Sequence, residues 1–158
     1  CNWNSSGGLY WINRMIRPFD DYIRENMVRK TQSNISMAKA MIEKSEIRLK
    51  KTIKQKITEE ESSITFEDIY ESLREAIQSI MEIKGYKPYS HEAVIAFMQE
   101  EKILSQSEIN IINNYRILRN DSVYLARQVS LEKCLEAVNF AKKTLPKIRN
   151  IFRNLTKK

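Results

Sequence analysis

A chain of 158 residues with two Cys, three Gly and three Pro excludes a disulfide framework and argues against sheet, since long runs rich in Lys, Glu, Ile, Leu and Ala joined by short loops read as helices. At this length ~68 to 70% of the unfolded chain's surface can be buried, so one domain is sufficient. The net charge of +7 favours an anionic partner; the same charge also suits solvated helix faces and a basic tail.

Cys1 to Pro18 mixes Trp3, Tyr10, Trp11, Ile12, Met15 and Ile16 with Gly7 and Gly8. This is too aromatic for a free tail and too irregular for one strong helix, so residues 1–30 are expected to pack on the remaining domain, 31–158. Phe19 to Met27 can form a short helix after Pro18, which suits a first turn. The chain begins with Cys rather than Met, as expected of one trimmed or incomplete at its start, and lacks the basic-then-apolar order of a signal peptide. No apolar run nears the roughly 18 residues that span a bilayer, and a cytoplasmic protein without membrane contact is expected.

From Ser33 to about Ile57, the spacing of Ile35, Ala38, Ile42, Leu49 and Ile53 marks one face of a long amphipathic helix, with Lys50, Lys51 and Lys54 outward. Those three lysines are candidate contacts to nucleic acid, or cations complementing a helix C-terminus. Glu59 to Ser63 reads as an exposed acidic loop. Thr65, with Asp68 three residues on, is the expected N-cap of a helix striped by Phe66, Ile69, Tyr70, Leu73, Ile77, Ile80 and Met81 and closed by Gly85. Tyr86 to Tyr89 reads as a turn, and Ser90 caps a helix through His91, Val94, Ile95 and Met98. His91, the one histidine, is either a packed first-turn residue or a catalytic imidazole supplied from a second helix.

Ser105 and Glu108 form a capping box for the next helix. Its stripe of Ile111, Ile112, Tyr115 and Leu118 runs into Arg119 and Ser122, so a guanidinium stands at the edge of the core. Such a charge is paired with a neighbouring helix or aimed at an anion, because an unpaired buried charge costs several kcal/mol. Ser130 caps the last helix, whose stripe from Leu131 and Cys134 to Ile148 and Phe152 keeps phase through Pro146 and reads as one kinked helix or two end to end. Cys134 is expected to be a small core hydrophobe. With one His and no paired Cys, no metal site is supported, and no cofactor is expected.

Arg119-Asn120-Asp121-Ser122-Val123-Tyr124 resembles the Arg-polar motif of the HEPN families, in which an Arg and a following Asn or Asp precede a His. Tyr124 stands at the His position. The resemblance extends upstream through residues 69–98 and downstream through 129–148, covering Ser33 to Ile148. It implies an all-α, up-and-down bundle of four to five helices that dimerises with the motifs of two subunits facing one another, and a metal-independent endoribonuclease of the toxin or defence type. Arg119 would hold the scissile phosphate and Asn120 would orient it or the 2′-hydroxyl. Asp121 would fix Arg119, with Arg116 and His91 in support. A tyrosine titrating near 10 is a poor general base beside a histidine near 6.5, which weakens the expectation of catalysis. The alternative is a non-catalytic nucleotide-binding subunit that pairs with a minimal nucleotidyltransferase antitoxin, to which Tyr124 would offer a site for AMP. Arg119 and Tyr124 lie about 140° apart around a helix, whereas Asn120 and Tyr124 share a face, so a two-fold mate would complete the cluster.

Overall fold

The computed structural model describes residues 16–157, and within them helices dominate. In chain order these are α1 (Phe19–Arg24), α2 (Ile35–Lys54), α3 (Ser62–Lys84), α4 (His91–Glu101), α5 (Gln106–Leu125) and α6 (Leu131–Thr156). The all-α bundle expected from the apolar stripes is the observed architecture. Trp3, Tyr10, Trp11, Ile12 and Met15 lie outside the described residues; Ile16 packs half-buried against the core.

The long central helix α3 is the axis of the bundle. Its stripe widens until Phe66, Ile69, Leu73, Ala76, Ile77, Ile80 and Met81 are all fully buried, because α2, α4, α5 and α6 pack around it. A helix apolar on most sides belongs inside. Three polar groups interrupt that interior: Glu75 accepts from Arg48 of α2 at 3.0 Å, and Ser72 and Ser79 satisfy their hydroxyls on the Asp68 and Ala76 carbonyls.

Several boundaries differ from the sequence-based expectation. The acidic stretch is not wholly a loop, since α3 starts at Ser62, ahead of the expected cap at Thr65. Ser62 is buried and donates to the Val129 carbonyl at 2.5 Å, while Ser63 accepts from the Val129 amide, so a distant loop fixes where the helix begins. Ile35 is 47% exposed, because the first turn of α2 precedes the helix's first buried position, Ala38. The expected turn at Tyr86 to Tyr89 contains a strand, β2 (Tyr86–Pro88), which pairs antiparallel with β1 (Val28–Lys30), Arg29 opposite Lys87. This small ribbon corrects the expectation of no sheet at all. In strand β1 Val28 enters the core while Arg29 and Lys30 are exposed. Its pairing needs the sharp reversal at Gly85, where φ is +80° and an added Cβ would lie 2.6 Å from the Thr31 carbonyl oxygen. Helix α6 runs unbroken through Pro146 as a single element.

The capping box at Ser105 and Glu108 and the Ser130 cap are formed as the sequence requires. Ser90 takes the N-cap position of α4 without a side-chain cap bond. Cys134 is fully buried and burial raises its thiol pKa, as suits a packing residue.

Candidate functional site

Three helices bring their polar residues together where α3, the start of α4 and the second half of α5 meet. Tyr70 comes from α3 at a position the apolar stripe requires to face inward, and its ring is 2% exposed. Its hydroxyl lies 3.2 Å from Nδ1 of His91, the first residue of α4. The two rings lie 5.8 Å apart and tilted, so the imidazole is held by a buried phenol along one side.

Around this pair stand three arginines. Arg74, one turn along α3 from Tyr70, pairs with Glu71 through Nε at 3.0 Å. Arg116 of α5 is 4% exposed; its Nε donates to Asn113 at 2.9 Å and its Nη1 faces Glu92 at 3.6 Å. Nη2 of Arg116 is buried without a hydrogen-bond partner among the described residues. Glu92 also accepts from the Tyr22 hydroxyl at 3.2 Å, which ties α1 to the start of α4. Arg119 is half-buried, and its Nη1 donates to Asn120 Oδ1 at 3.3 Å.

The electrostatic consequence is visible at the imidazole. Burial, followed by the positive charges of Arg74, Arg119 and Arg116, pushes the His91 pKa down to about 4, against a weaker opposite pull from Glu71. His91 is therefore neutral throughout the physiological range. Burial pushes Tyr70 up to about 12 in spite of the same arginines, so its phenol stays protonated. Burial also works against ionisation of Glu71, but the Arg74 hydrogen bond and the charges of Arg74 and Arg48 outweigh it and hold that carboxyl below its ordinary value. A neutral imidazole with a fixed partner, in a field of nearby guanidinium charge, can exchange a proton beside a bound phosphate.

The sequence-predicted residues divide. Arg119, Asn120, Arg116 and His91 converge on this cluster. Tyr124 does not: it lies in the last turn of α5 and is 74% exposed, between exposed Val123 and Leu125. Asp121 faces Arg127 at 3.6 Å rather than Arg119, and its carbonyl accepts from the amides of Ala126 and Arg127 that close the helix. Lys50, Lys51 and Lys54 are exposed on α2, where they line a surface cavity with Ile47 and Gln55. The sequence reading missed Tyr70, Glu71, Arg74, Glu92 and Asn113 as site residues. For Arg116 a stronger signal was present: counted from Ile109 and Ile112, position 116 continues the inward face at i+7, and burial follows that phase.

Among the described residues no group of three or more His, Cys, Asp or Glu is placed to hold a metal ion, and no helix is long and apolar enough to cross a membrane. No protein-family model matches the chain, and no match to it was found among curated proteins or solved structures.

Proposed function

We propose that this chain is a HEPN-like, metal-independent endoribonuclease acting as a homodimer, with Arg119 anchoring the scissile phosphate and His91, rather than Tyr124, moving the proton. The observation that carries this reading is the His91 imidazole hydrogen-bonded to buried Tyr70, within reach of the positive charges of Arg74, Arg119 and Arg116. With Nδ1–H donating to the Tyr70 oxygen, Nε2 carries the lone pair. It takes the proton of a 2′-hydroxyl, the 2′ oxygen bonds to phosphorus, and the 5′ oxygen leaves with a proton from solvent. The products are a 2′,3′-cyclic phosphate and a 5′-hydroxyl. Arg119 offers two parallel donors to the phosphate, and Asn120, whose Oδ1 accepts from Arg119, adds a neutral donor through Nδ2.

Phosphate binding also prepares the base. An anion among the arginines cancels the charges that depress His91, so its affinity for a proton rises when substrate is present. Cleavage of single-stranded RNA in a chelator, compared among wild type, Arg119→Ala, Arg119→Lys and His91→Gln, tests the reading. Loss of His91 should slow cleavage by about 10²- to 10⁴-fold. Arg119→Lys should lose much of the RNA affinity despite keeping the charge, and Arg119→Ala more. Unchanged cleavage by folded Arg119→Ala overturns the assignment.

The exposure of Tyr124 favours a second reading, a non-catalytic nucleotide-binding subunit of a minimal nucleotidyltransferase pair, with Tyr124 open to its partner. RNA or nucleotide binding without cleavage by wild type would select it.

A further inference from the structure

Helices α2 and α6 both lean on α3 and only partly close over it, leaving a trough of about 370 Å³. Its apolar surface comes from Leu49 and Ile53 of α2 and Leu145 and Pro146 of α6, and cations flank it on both walls: Lys50 on α2, and Lys142, Arg149 and Arg153 on α6. Glu46 is the single acid lining the trough, and it is engaged by Arg149 at 3.5 Å. Nε of Arg149 is buried without a partner among the described residues, and its guanidinium lies 5.6 Å from the centre of the Phe152 ring. The described ion pairs leave Lys50, Lys142 and Arg153 without an acidic partner.

The two segments that build these walls are unusually one-signed. From Ile47 to Thr58 and from Lys142 to Lys158 the sequence contains no Asp or Glu. A solvated helix face of ordinary character interleaves both signs, as α6 itself does earlier with Glu132, Lys133 and Glu136. The trough is therefore an apolar strip with uncompensated positive charge along its two margins.

We infer that this trough docks an acidic amphipathic helix of a separate protein partner. A helix laid between two helices presents one apolar stripe inward and its flanking residues outward to both walls. Leu49, Ile53 and Leu145 receive the stripe, and Asp or Glu at the flanks meets Lys50 on one side and Lys142 and Arg153 on the other. Single-stranded RNA is the competing occupant for any basic surface, but its bases gain affinity by stacking on aromatic rings, and the trough's lining residues are aliphatic or polar. The aliphatic floor selects side chains rather than bases, and the charge selects acidic ones.

The test uses the full chain and a displayed library of helix-forming peptides with a fixed stripe of Leu, Ile and Met and with Asp, Asn or Lys allowed at the flanking positions. Selection should enrich Asp at the flanks. Enriched peptides should bind wild type, weaken by about tenfold or more against Lys50→Glu/Lys142→Glu/Arg153→Glu and against Ile53→Asn, and resist displacement by single-stranded RNA. The charged positions are exposed, so the triple variant should keep the wild-type circular dichroism spectrum. No enrichment, enrichment of Lys or Asn, indifference to both variants, or displacement by RNA overturns the proposal.

Discussion

At His91 the competing effects can be ranked. Burial disfavours the imidazolium, three arginines add to that effect, and Glu71 opposes it too weakly to restore the ordinary value. The sign of the linkage follows. The folded chain binds the His91 proton less well than the unfolded chain, so stability from this residue is complete above about pH 6.5 and is lost as pH falls through about 4. His91→Gln, which can still hydrogen bond with Tyr70, should flatten the acid side of the melting-temperature profile in that window; an unchanged profile would place the imidazole in water. In catalysis, the acid limb of kcat/KM reports the free enzyme and should lie near pH 4, with the limb of kcat at higher pH because bound phosphate raises the base. Arg119 was legible in the sequence because it interrupts an apolar stripe, but Tyr70 was not, since a tyrosine on a stripe reads as core whether or not its hydroxyl meets a histidine. Arg116 shows how phase decides: it lies three residues before the position chosen for its mismatch, yet it is the more deeply buried of the two.

Among the elements, helices and caps were readable from local rules, whereas the ribbon was not. Capping boxes and helical periodicity are encoded within a few residues, but β1 and β2 are three residues each and lie more than fifty residues apart. Neither carries enough alternation to announce a strand. The start of α3 was missed for the same reason, being set by Ser62 donating to the Val129 carbonyl and Ser63 accepting from the Val129 amide. Gly85 links both scales. It closes α3 in the left-handed region and lets its carbonyl accept from the Thr31 amide at 2.8 Å. Gly85→Ala should cost at least about 1 to 2 kcal/mol from backbone strain alone, more because the new methyl meets the Thr31 carbonyl. Equilibrium denaturation measures this, and a cost below a few tenths would show that the β1–β2 ribbon yields freely.

For the whole molecule, the proposed dimer has a definite surface to use. The last turn of α5 exposes Val123, Tyr124 and Leu125, and a trough of about 390 Å³ with Ile111, Tyr115 and Leu118 beside Asp121, Lys133 and Glu136 lies between the same helix and α6. A two-fold axis beside α5 would cover the exposed Val123, Tyr124 and Leu125 together with this trough of mixed polarity and bring the two Arg119 sites toward one another. Light scattering at micromolar concentration should give a dimer, and Leu125→Arg should shift it to monomer while leaving the helical content unchanged. A wild-type monomer at that concentration rejects the arrangement.

Pro146 sits on the rim of the α2–α6 trough, inside an otherwise regular helix. Having no N–H, it gives the Lys142 carbonyl no bond of the kind each preceding turn supplies. The α6 side of the trough thus has a main-chain oxygen without its usual helical donor, beside the cationic side chains of Lys142, Arg149 and Arg153. A docked helix with one Ser, Asn or Gln facing that oxygen has a preferred sliding position and polarity, whereas a purely apolar and acidic one can shift by a turn. The proline, tolerated by the fold, becomes the notch that sets alignment.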